Sequence, residues 1–263
     1  MQTTLSFSLI FNQSINFIRN RFWQIAIVSL VLSLITTMIY NNLYDKQALI
    51  QLTQTANPKA TLSYLLKPFM IFSLLSLIIK SIVLAVIYNF SINDKFNINL
   101  ILFRMLPNVL NIVAFNVVYI AISIVGFIFA ALIFIVLGFI FPKNLVVFLF
   151  IAIALIYSIV LTTIYYYFVG SIIQPTVKPF FQKFAESHKY ALSYWKLAVP
   201  MVLIYYLILI VIPPTLNAIC GDNILSTIVS TTLSLFFDIF TMCFFYRLNI
   251  LSKNNETVFN THE

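Results

Sequence analysis

The chain has 263 residues, of which 62% are hydrophobic and 8% charged, with mean hydropathy +1.01 and net charge +8. Soluble domains carry about 25% charged and about 45–50% apolar residues, so this composition excludes a soluble globular fold. The basicity does not point to nucleic acid either, because no segment between apolar stretches is long enough for a basic domain; 178–196, the main cluster of lysines, lies in one of only 26 residues, 171–196.

Six apolar stretches follow one another along the chain: 22–40, 69–89, 112–139, 145–170, 197–219 and 224–245. A bilayer core of about 30 Å needs about 20 helical residues, and each stretch reaches or approaches that length. Since backbone groups in lipid must bond internally, the pattern predicts an all-α polytopic fold. It forms a single transmembrane domain over 1–248, with a short polar tail over 249–263. The first stretch shows no small-residue cleavage pattern at its end and reads as an uncleaved anchor.

The cationic residues set the predicted orientation. With the N-terminus inside, ten fall on the inner side (Arg19, Arg21, Lys95, Arg104, Lys178, Lys183, Lys189, Lys196, Arg247, Lys253). Four fall outside (Lys46, Lys59, Lys67, Lys143), and Lys80 lies within a span. The positive-inside rule then places both termini in the cytoplasm, with 41–67 as the sizeable outer loop.

Three segments before spans have amphipathic helical patterns. In 178–196, Phe181, Phe184, His188, Ala191, Leu192 and Trp195 make one apolar face, with Lys178, Lys183, Glu186, Lys189 and Lys196 opposite. This predicts an interfacial helix whose Lys178, Lys183, Lys189, Trp195 and Lys196 contact anionic lipid at the cytoplasmic surface. A weaker copy has Phe7, Phe11, Ile15, Ile18 and Phe22 on one face, and a third, 94–106, is expected to end at Pro107. Three repeated helix-plus-hairpin units are one reading. The other is that any inner segment leading into a span tends to be basic and aromatic.

Two segments carry a residue-specific likeness. Asn16-Phe17-Ile18-Arg19-Asn20-Arg21-Phe22, followed after Trp23-Gln24 by Ile25-Ala26-Ile27-Val28-Ser29-Leu30, resembles the N-terminus of the YciC-type bacterial inner-membrane proteins. So does Tyr194-Trp195-Lys196-Leu197-Ala198-Val199-Pro200. The resemblance implies a multi-pass protein of the bacterial inner membrane and supplies no catalytic residue. The outer loop 41–67 departs from that family's pattern.

The residues predict no enzyme, no cofactor and no metal site. His188 and His262 are the only histidines, one acidic residue lies within a span, and four glycines offer no phosphate-cradling loop. Cys220 and Cys243 are 23 residues apart along the chain, about 35 Å of helix, and are expected as free thiols. Polar residues inside spans need a reason to be there: Lys80, Asp238, Asn89, Asn116 and Asn217. Lys80 and Asp238 sit at similar predicted depth, which makes them a candidate intramembrane ion pair. Tyr165, Tyr166 and Tyr167 are expected in an aromatic belt, and Pro213-Pro214 are expected to end or bend the fifth span. Two functions fit: a structural or interaction protein of the envelope, or a small-solute or lipid transporter or channel. A membrane-protein partner or a second copy stays open.

Overall fold

A computed structural model describes residues 5–43, 58–221 and 223–260. Eight helices and no strand occur among them: α1 Phe7–Asn20, α2 Phe22–Leu43, α3 Pro58–Ile92, α4 Ile98–Ile140, α5 Lys143–Ile172, α6 Phe180–Ser193, α7 Trp195–Cys220 and α8 Ile224–Asn260. Six of them, α2 to α5, α7 and α8, are long and apolar enough to cross a bilayer. The chain is an all-helical polytopic membrane protein.

The helices overrun the predicted spans because propagation costs little once a helix is nucleated. Helix α3 begins at Pro58 and passes through Pro68, so part of the expected outer loop is helical; 44–57 lies outside the described residues. Pro107 does not end a third interfacial helix, since α4 runs through it for 43 residues. One backbone donor is lost there, while Asn111 Nδ2 donates to the Pro107 carbonyl at 2.7 Å. Pro213 and Pro214 do not end α7, which continues to Cys220. Gly221 then takes φ 77°, a left-handed cap whose N–H reaches the Asn217 carbonyl at 3.0 Å. Helix α8 carries on to Asn260, into the stretch expected as a tail, with Asn249 and Ser252 buried.

The predicted lead-in helices are discrete at two of three places. α1 and α6 each have 14 residues and each is separated from the next span by one residue, Arg21 or Tyr194. In the middle copy the lead-in is fused to α4.

The chain clusters into two compact units. The first comprises Met1–Phe11, Pro107–Ile204 and Thr241–Glu263. Its core gathers Phe115, Tyr119, Tyr166, Tyr167, Phe168, Phe244 and Phe245, all buried. Gly170 sets this packing, because a Cβ there would lie 2.8 Å from the Phe245 backbone. The α8 backbone approaches α5 at the one residue type that leaves room. Tyr166 and Tyr167 consequently pack on Phe245 at 5.5 and 5.7 Å rather than joining an interfacial belt. Farther along, the most apolar stretches of α4 and α5 are unburied, and these helices meet each other through pairs such as Phe134–Phe150 and Ser123–Tyr157.

The second unit comprises Asn12–Leu106 and Tyr205–Phe240. Here α2 touches α8 through Ser33–Thr232 at 2.6 Å and α3 through the Tyr40 and Phe72 rings at 5.7 Å. Asn89, expected as a costly span residue, closes the α3–α4 turn: its amide donates to the Lys95 carbonyl and its oxygen accepts the Asn97 N–H, each at 3.1 Å. Asn97 in turn caps α4 by accepting the Leu100 N–H. Asp94 on that turn pairs with Arg21 at 3.2 Å, and the guanidinium lies over the Phe17 ring at 4.9 Å.

Candidate membrane-surface site

Pro179, in extended conformation, precedes α6, and its carbonyl accepts the Lys183 N–H. Tyr194 ends the helix with its N–H on the Tyr190 carbonyl, and its own carbonyl starts α7 by accepting from Leu197 and Ala198. A single break residue therefore links the 14-residue α6 to a candidate span.

Helix α6 is docked rather than afloat. The Phe184 ring packs on Phe115 and Tyr119 at 5.6 and 5.7 Å, and Phe180 packs on Phe168 at 5.7 Å. Tyr190 stacks on Tyr167 at 6.3 Å. His188 bonds at both nitrogens, with Nε2 2.9 Å from the Tyr119 hydroxyl and Nδ1 2.9 Å from the Phe184 carbonyl. It is thus a tethering residue within the docked side.

The expected apolar face is divided by this docking. Phe184, His188 and Ala191 turn to the first unit's core, joined by Ser187 and Tyr190, which are buried. Phe181, Leu192 and Trp195 stay exposed at 73, 64 and 54%. The apolar arc is wider than the groove it meets, so one flank docks and the other is left outward. At 100° per residue, Phe181 and Leu192 share a sector with Lys189.

Of the predicted contact lysines, three are on the outward side, and Lys183 falls instead in the docked sector between Ser187 and Tyr190. Lys178, Lys189 and Lys196 are exposed and Lys183 is half-buried. Lys178 Nζ holds Glu186 Oε1 at 2.6 Å, which neutralises the helix's one acidic group. Both partners are partly exposed, so this pair orients the lead-in more than it stabilises the fold.

Lys80 is half-buried on α3 and Asp238 buried on α8, both within the second unit. Asn116 is half-buried on α4, and Asn217 is exposed at the end of α7, where its oxygen accepts from Ser226. Cys220 is exposed and Cys243 buried, both as free thiols. Among the described residues no group of three His, Cys, Asp or Glu could hold a metal ion.

Sequence reading missed the Tyr119–His188 tether and the Gly170 contact. One signal for Gly170 was present: a glycine closing the run Tyr165-Tyr166-Tyr167-Phe168-Val169 in a chain with four glycines. No family model matches the chain, and neither the curated proteins nor the solved structures contain a match to it.

Proposed function

We propose that the chain is a structural or interaction protein of the bacterial inner membrane that engages anionic lipid through α6. The carrying observation is the two-sided helix: one flank is locked on the first unit and the other presents Phe181, Leu192 and Lys189, with exposed Lys178 just before the helix and exposed Trp195 and Lys196 at the start of α7. A helix held in register by its own protein orders few groups on binding lipid, so little is lost to conformational entropy. Each lysine near an acidic headgroup layer adds about 1 kcal/mol. The ten-to-four distribution of cations supports a cytoplasmic position for this surface and for both termini. The segments 16–30 and 194–200 support assignment to the YciC-type family.

Trp195 offers the test. In a Trp23→Phe protein, Trp195 fluorescence in nanodiscs is expected to be quenched more by brominated anionic lipid than by brominated zwitterionic lipid at equal mole fraction. Equal quenching by the two would refute the lipid preference.

A transporter or channel is the second reading. It is favoured by one observation, the buried hydroxyls of α2, Ser29, Ser33 and Thr37.

A further inference from the structure

Those hydroxyls recur every fourth residue, a spacing that stacks them along one side of α2. Ser33 Oγ lies 2.6 Å from Thr232 Oγ1, so this side looks towards α8. Tyr40, on the same side, meets Phe72 of α3, and Lys80 lies two turns beyond Phe72 along α3. Asp238 is buried on α8. The stripe therefore faces the interior formed by α2, α3 and α8 within the second unit.

Two members of the stripe lack a hydrogen bond. Ser29 Oγ and Thr37 Oγ1 are buried without a partner. Hydroxyls in helices readily donate to the carbonyl four residues back, as Thr36 does to Leu32 and Thr232 does to Ile228. Ser29 and Thr37 make no such bond. A buried hydroxyl left unpaired is unfavourable, and internal water is the partner such groups commonly take. Ionisable side chains within a membrane likewise face water-filled interiors or one another.

We propose that the second unit holds internal water between α2, α3 and α8, bound by Ser29 and Thr37 and spanning the eight-residue rise from one to the other, about 12 Å of helix. The water reaches the level of Lys80, ends about 3 Å short of the level of Asp238, and makes the middle of this unit reachable by small polar solutes. This inference is independent of the lipid reading of α6.

The test is thiol accessibility in the full chain in proteoliposomes, with Cys220→Ser as background because Cys220 is exposed and Cys243 buried. Ser29→Cys and Thr37→Cys are treated with a membrane-impermeant methanethiosulfonate, beside Ile27→Cys and Ile35→Cys, whose native side chains are exposed on α2. Only a thiolate reacts, and a thiol facing lipid does not ionise, so positions 29 and 37 are expected to react about tenfold faster than 27 and 35. Equal rates at all four, or no reaction at 29 and 37, would overturn the proposal. Thr37→Val gives a second reading by thermal unfolding. With water bound, Tm stays level or falls; a rise in Tm would mean a dry seam and would also overturn it.

Discussion

The Tyr119 hydroxyl and His188 Nε2 are hydrogen-bonded at 2.9 Å, while His188 Nδ1 donates to the Phe184 carbonyl at 2.9 Å. This bond ties α6 to α4. Tyr119→Phe keeps the ring in its stack with Phe115 at 4.4 Å but strands the imidazole nitrogen. The expected loss is about 1–3 kcal/mol. Thermal unfolding in detergent measures it, and hydrogen exchange over 180–193 should quicken; unchanged exchange would mean that the aromatic packing alone holds α6.

Glycine contributes very differently at different places in the first unit. Gly170→Ala forces a Cβ against the Phe245 backbone at 2.8 Å and is expected to cost about 1–3 kcal/mol. Gly126→Ala and Gly138→Ala meet nothing within 4 Å and are expected to be neutral or to stabilise by up to about 1 kcal/mol. Size-exclusion thermostability of the three variants checks the order; a tolerated Gly170→Ala would show that α5 and α8 can move apart.

Lys80 and Asp238 are expected to act as a pair. With α2 as ruler, Asp238 lies six residues past Thr232, level with Ile27, and Lys80 lies eight past Phe72, level with Leu32. Five residues amount to about 7 Å of axial offset, which a four-carbon lysine stem largely spans. Lys80→Leu or Asp238→Leu alone is expected to lower the folded yield, and the double change to recover it. A double mutant that loses as much as the two singles combined would rule out pairing.

Both termini are expected in the cytoplasm. A phosphatase fused after Asn57 should be active and one fused at Glu263 inactive, whereas fluorescent-protein fusions should behave oppositely. Activity of the phosphatase at Glu263 would invert the orientation.

The six spans and the two discrete lead-in helices were legible in the sequence because hydropathy and helical periodicity are local properties. Extents were less legible: Pro68, Pro107, Pro213 and Pro214 look like boundaries, yet each sits inside a helix whose neighbouring turns are apolar and intact. The site was half legible. Periodicity placed Phe181, Phe184, His188 and Trp195 on one arc, but how much of that arc docks depends on Phe115, Tyr119 and Phe168 from distant segments. Tyr166 and Tyr167 were misplaced for a similar reason, since the belt preference of tyrosine yields where Gly170 admits another backbone.

The outward side of α6, with the residues flanking it, is proposed to select anionic lipid. The most direct measurement is native mass spectrometry of lipid retained by the full chain and by Lys178→Gln/Lys189→Gln/Lys196→Gln, each exchanged into equal mixtures of anionic and zwitterionic lipid. At about 1 kcal/mol per lysine, each lysine lost should reduce the preference roughly fivefold. Clear anionic enrichment is expected on the unaltered protein, with its collapse in the triple variant; equal enrichment on both proteins, or none on either, would overturn the lipid preference.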